Sequence, residues 1–217
     1  MKKITLTKTF MLLTAVCLGV FFTSCKKDQN KPDVPQKNEV KTASYIRANS
    51  YTEWAYFSFE TGKVVKVEDP TKSKDWDVAF HRQQIRVNDK NFLGKAKAQM
   101  LDATDFDAKV YPEPAKMIEN KEILIPVGVN MGNQAAPYLL EKGFCLTDND
   151  NFLKNTIGSF TVNMKEMGGD PTKMYVVNKK IFVFLAADGK TYYKLQFTGV
   201  LSEEGKGGHI SFKYVKL

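Results

Sequence analysis

The chain has 217 residues and a formal net charge of +8, from 32 lysines and arginines against 24 acidic residues. The basic residues are spread along the chain with no aromatic-basic motif among them, which argues against a nucleic-acid binder and for a solvated surface. Three cysteines, at positions 17, 25 and 145, offer no obvious internal disulfide, so a folded domain here must rest on its apolar core.

The N-terminus reads as an export signal. Lys2, Lys3 and Lys8 form a basic flank, residues 9–24 carry no charge, and residues 10–22 are mostly apolar. That run falls short of the roughly 20 apolar residues a membrane span needs. It fits a secretory signal over residues 1–24. Phe22-Thr23-Ser24-Cys25 ends it with small residues before a cysteine, the pattern of a bacterial lipobox, which makes Cys25 the lipid-bearing residue of the mature chain. Loss of the three signal lysines lowers the formal net charge from +8 to +5. Residues 25–40 are charged, contain Pro32 and Pro35, and are almost without apolar side chains, so they read as a tether. Residues 41–217 are then a single domain, long enough for a core of its own.

Within that domain the pattern is β. Residues 51–59 alternate aromatic and polar, Glu60-Thr61-Gly62-Lys63 reads as a turn, and residues 64–67 return. Residues 75–81 and 84–88 continue in period two. Residues 121–127 read as a strand in which Pro126 marks an edge or an end. Asp188-Gly189, between the apolar runs 181–185 and 191–197, predicts a two-residue hairpin with positive φ at both central positions. Residues 209–215 close the chain as an alternating strand, and short helical turns are expected near 102–106 and 148–154. The fold class expected is mostly β, antiparallel, with short helical turns. Two segments break the sheet pattern, residues 128–137 and 164–174. Both are rich in Gly or Pro and carry methionine, and long loops on a rigid sheet are where function tends to sit.

No catalytic signature is present: there is no G-x-S-x-G, H-E-x-x-H, C-x-x-C or P-loop. The two histidines, His81 and His209, each fall in an apparent strand and read as structural. Asp75 and Asp77 share a face of theirs, and Cys145 reads as a small buried hydrophobe. The expectation is that the protein is not an enzyme.

A resemblance adds to this. Tyr56-Phe57-Ser58-Phe59, Gly62-Lys63-Val64-Val65, and above all Trp76-Asp77-Val78-Ala79-Phe80-His81-Arg82 with Arg86-Val87-Asn88 resemble the HmuY family of haem-binding lipoproteins of the Bacteroidetes. The similarity continues at Glu141-Lys142-Gly143-Phe144, at residues 179–184 with Ala187-Asp188-Gly189, at Leu195-Gln196-Phe197-Thr198 and in the final strand, covering nearly all of the domain. It implies a hand-shaped all-β fold whose loops grip haem (iron protoporphyrin IX). It also implies an outer-membrane lipoprotein, at the cell surface or released, that passes haem to a TonB-dependent outer-membrane receptor and touches the membrane only through its lipid.

In the family the iron is held between two histidines from two loops, and this chain has Met131 and Met164 at or beside those places. The resemblance therefore implies Met131 and Met164 as the iron ligands, with Met167 as the rival to Met164. A thioether is a soft, neutral axial ligand that raises the potential and has no proton to lose. Tyr138, Leu139, Leu140 and Phe160 are candidate walls, and Lys165 a candidate partner for a propionate. The alternative is a surface lipoprotein that has lost haem binding and uses exposed aromatics such as Trp54 or Tyr138 on a glycan or an outer-membrane partner.

Overall fold

Among the described residues every strand pairing is antiparallel, and the aromatic runs decide which faces turn inward. The computed structural model of the protein describes residues 38–132, 138–147 and 157–217. The described strands are β1 (Lys41–Arg47), β2 (Ala55–Ser58), β3 (Lys63–Val65), β4 (Val78–His81), β5 (Gln84–Val87), β6 (Lys97–Leu101), β7 (Lys121–Val129), β8 (Tyr138–Cys145), β9 (Phe160–Val162), β10 (Tyr175–Val177), β11 (Ile181–Leu185), β12 (Tyr192–Leu201) and β13 (Gly207–Lys216). One sheet has the order β1-β13-β12-β11-β6 and a second β3-β2-β4-β5, while β7-β8 and β9-β10 are two-stranded ribbons. Among the described residues no helix is long and apolar enough to cross a membrane.

The core lies where the larger sheets face each other. Phe57, Phe59, Val78, Phe80 and Ile85 of the four-stranded side meet Phe182, Phe184, Leu195, Phe197 and Phe212. The rings meet mostly edge to face, as Phe57 with Phe212 at 5.1 Å and Phe80 with Phe197 at 5.9 Å. Each such pair adds about 1 kcal/mol beyond the area it buries. Tyr56, Trp76 and Ala79 alternate with the core residues and so form a second cluster on the opposite face, with Trp54, Val65, Val67 and Phe92 against it.

Asp77 ties the sheets together. Its carboxylate accepts the backbone N–H of Phe59 and, from the β11–β12 turn, that of Ala187, both at 2.8 Å. Burial pushes its carboxyl above the usual range. Asp75 is exposed, so the two acids do not act as a pair. The β11–β12 hairpin forms where its signal lies, but its turn is longer than two residues. Gly189 takes a φ of +70°, whereas Asp188 does not enter the left-handed region. The Asp188 side chain instead accepts the N–H groups of Lys190 and Thr191, and Ala186 N–H closes the loop on Thr191.

Pro126 sits at a bulge of the β7–β8 ribbon, where the register shifts before Gly128. Residues 102–106 form no helix, and residues 148–154 lie outside the described part. Short helices occur in a segment that reads as loop: a 3-10 turn at Met164–Glu166 and α1 (Pro171–Met174). Each is started by a side-chain cap, Asn163 accepting Lys165 N–H and Asp170 accepting Thr172 N–H. Replacing Asp77 by alanine strands the buried Phe59 N–H and the half-buried Ala187 N–H, and the expected cost is about 2–4 kcal/mol by chemical denaturation.

Candidate ligand-binding site

The β4–β5 hairpin is the attachment point of both methionine-bearing segments. Its turn is Arg82-Gln83, since His81 pairs with Gln84. Arg82 has a φ of +54°, where a tight hairpin normally places glycine. A non-glycine residue held there stores backbone strain, and such strain gathers at functional positions.

Both ribbons attach to this hairpin. From the first, Leu146 N–H just beyond β8 donates to Ile85 C=O at 2.7 Å, and Thr147 Oγ1 accepts from Ile85 N–H at 3.2 Å. From the second, Ser159 N–H just before β9 donates to Gln83 C=O at 2.9 Å, and its hydroxyl donates to the same oxygen at 3.2 Å. Asn178 N–H then holds Ser159 C=O at 3.0 Å from the far side of β10.

Met131 follows β7 at the outer end of the first ribbon and is 88% exposed. Gly132 beside it takes a φ of +92°, which turns the chain there. Residues 133–137 lie outside the described part. Val129, Leu139 and Leu140 on the same ribbon are also exposed. Met164 opens the 3-10 turn beyond β9 and is 43% exposed, and Met167 caps that turn and is exposed as well. Asn163 N–H donates to Met174 C=O at 2.7 Å, which closes residues 163–174 into a self-bonded loop. The two methionines thus sit on separate ribbons rooted in one hairpin, and both residues are exposed.

Beside the outer end of the first ribbon lies an aromatic and cationic group that the sequence did not announce. Tyr138, at the start of β8 and paired with Val129, has its ring 6.4 Å from that of Tyr51. The Arg82 guanidinium lies 4.2 Å from the other partner, the Tyr51 ring. Burial raises the Tyr138 phenol above its ordinary range, so it stays a neutral hydrogen-bonding group at physiological pH. Arg82 is present in the aromatic-rich motif, but only its place in a two-residue turn brings it here. Of the expected walls, Tyr138, Leu139 and Leu140 lie on the first ribbon. Phe160 does not serve as one: it is buried in the main core and packs edge-on against Tyr175 at 5.5 Å. Lys165 is exposed on the Met164 turn.

His81 is structural, as its strand position implied. It stacks on Trp54 at 5.0 Å, and its Nδ1 lies 2.9 Å from Gln84 Oε1. His209 lies on β13, with Nδ1 near the Lys206 and Gly207 carbonyls at 3.1 and 3.2 Å. Cys145 is fully buried.

An antiparallel β protein with two methionine-bearing ribbons on one hairpin is the class that fold and site define. The family model described as HmuY protein matches residues 50–214, and the chain belongs to the HmuY family. The fold is shared with the apo HmuY analog of Tannerella forsythia, at 22% identity and a TM-score of 0.59, over 83% of this chain and 98% of that one. It is shared too with apo PinO from Porphyromonas gingivitis, at 20% identity and a TM-score of 0.57, over 82% and 97%. A candidate HmuY-like haem-binding protein from Bacteroides vulgatus gives 21% identity and a TM-score of 0.58, over 82% and 92%. Among curated proteins no sequence matches this chain.

Burial holds the His81 imidazole below its ordinary value. The unfolded chain therefore takes up the proton first as pH falls, and the stability His81 confers is present above about pH 6.5 and lost below it. The melting temperature should drop between about pH 7.5 and 5.5, and the drop should be smaller in His81→Gln.

Proposed function

We propose that this protein is a lipid-anchored haem-binding protein that captures iron protoporphyrin IX outside the cell through Met131 and Met164. Membership of the HmuY family supports the task. The observation that carries the reading is the common root of the two methionine segments: each is tied to the β4–β5 hairpin, and each carries an exposed methionine. Ligands on two separate ribbons that share one root can close together on a flat group.

The residues present fit haem. Its iron arrives with four equatorial nitrogens and needs only axial donors, for which a thioether is suited. Among the described residues no group of three or more His, Cys, Asp or Glu gathers as a bare metal ion would need. Val129, Leu139, Leu140 and the Tyr51–Tyr138 pair supply apolar and aromatic surface beside Met131. Arg82, rather than Lys165, is the better-held cation for a propionate, because its guanidinium is fixed over Tyr51. The thioethers favour ferrous over ferric iron and do not titrate, so binding should survive mild acid. Met167, on the same turn as Met164, is the alternative second ligand.

Residues 1–24 are then removed on export, Cys25 carries the lipid, residues 25–40 form the tether and residues 41–217 the binding domain. Outer-membrane attachment and delivery to a TonB-dependent receptor complete the reading.

Haem titrated into the protein, with and without dithionite, should give a sharp low-spin ferrous spectrum. Met131→Ala and Met164→Ala should each lose it. Haem binding unchanged in both variants would move the ligands elsewhere, with Met167 first. No Soret change in either oxidation state would sink the haem reading and favour a glycan or protein partner on the exposed β7–β8 ribbon. Arg82→Gly should keep or raise the melting temperature by relieving a left-handed residue, worth about 1 kcal/mol, while weakening haem binding. Equal haem affinity in that variant would remove Arg82 from the site.

A further inference from the structure

The second cluster, on the face of the four-stranded sheet turned away from the core, holds a cation that the haem reading does not use. Arg86 pairs with Ala79 across β4 and β5 and is 8% exposed. Its guanidinium carbon lies 3.8 Å from the Trp54 ring centre, 5.1 Å from Tyr56 and 5.0 Å from Phe92. Nη2 donates to the Tyr56 hydroxyl, and Nε is buried with no partner. Among the described residues Arg86 forms no ion pair. A buried arginine is normally matched by a carboxylate, because aromatic faces offset only part of the cost of removing the charge from water. Burial lowers its pKa to about 10, which leaves it fully charged at neutral pH.

Arg86 also lines an open cleft of about 540 Å³, together with Trp54, Tyr56, Val64, Val67 and Lys66. Lys66 stands at the surface already paired with Glu68 at 3.0 Å, so Arg86 is the cation of this cleft without a counterion. Glu53 and Glu68 on the same walls disfavour a dianion. The aromatic and valine side chains favour a flat apolar body.

We propose that this cleft binds a small monocarboxylate with a flat apolar body, its carboxylate on Arg86 and its body against Trp54, Tyr56 and the valines of the β3 side. The guanidinium's planar fork suits a carboxylate, and the ligand supplies the counterion that the fold omits. The site is separate from the methionine ribbons, so it stands whether or not haem binds there.

The test is calorimetry with naphthalene-2-carboxylate as probe, run beside naphthalene-2-carboxamide, with the Trp54 indole N–H signal followed by NMR. The carboxylate should saturate one site per chain and shift that signal, and the amide should bind at least about tenfold more weakly. Arg86→Gln should abolish binding. Because that variant removes a buried group and can fail to fold, Val67→Glu provides the second arm. It sets a negative charge on a half-buried cleft wall on the Arg86 side of the sheet, and should weaken the carboxylate by about tenfold or more. No saturable binding of the carboxylate, equal binding of the amide, or an unaffected Val67→Glu would each overturn the proposal.

Discussion

The outer edge of β5 cannot be left open. Its backbone N–H and C=O groups are buried, and an unsatisfied buried backbone group costs as much as a lost hydrogen bond. Three later segments complete it: Leu146 and Thr147 bond Ile85, the Asn120 amide bonds both N–H and C=O of Val87, and Ser159 bonds the Gln83 carbonyl in the preceding turn. An edge that would otherwise template aggregation becomes the anchor for both ribbons. The positions of Met131 and Met164 follow from this closure, because each lies at the far end of a ribbon whose root is a β5-side hydrogen bond.

Two buried charges on neighbouring strands are handled in opposite ways. Asp77 faces backbone donors, which satisfy both of its oxygens and fasten the end of β2 to the β11–β12 turn. Arg86 faces aromatic rings and one hydroxyl, and keeps an orphaned Nε. The first arrangement is closed and serves the fold. The second lines a cleft and leaves hydrogen-bonding capacity over, which is the physical difference between a structural charge and one free to take a ligand.

Within the proposed site a methionine ligand needs only room and reach, because a thioether has no ring to be held in orientation. Met131 is exposed and Met164 sits in a short self-bonded loop, so ribbon position alone would place them. Arg82, strained in the β4–β5 turn, shapes that turn with its backbone while its side chain is held over Tyr51.

Much of this was legible in the residues themselves. The alternating aromatic runs determined the antiparallel β class, the turn at Asp188-Gly189 determined the β11–β12 hairpin, and the motif ending in His81-Arg82 determined the family, because these signals are local and periodic. The short strand β6, the pairing of β9 with β10 and the capped turns at Asn163 and Asp170 were not legible, since three to five residues carry too little period. Only the tertiary structure decided that Tyr51, Arg82 and Tyr138 meet, that Phe160 is core instead of wall, and that Arg86 is buried without a counterion. Each depends on which backbone groups β5 lacks and which distant segment supplies them, and a hydrogen-bond deficit of that kind exists only once the strands are paired.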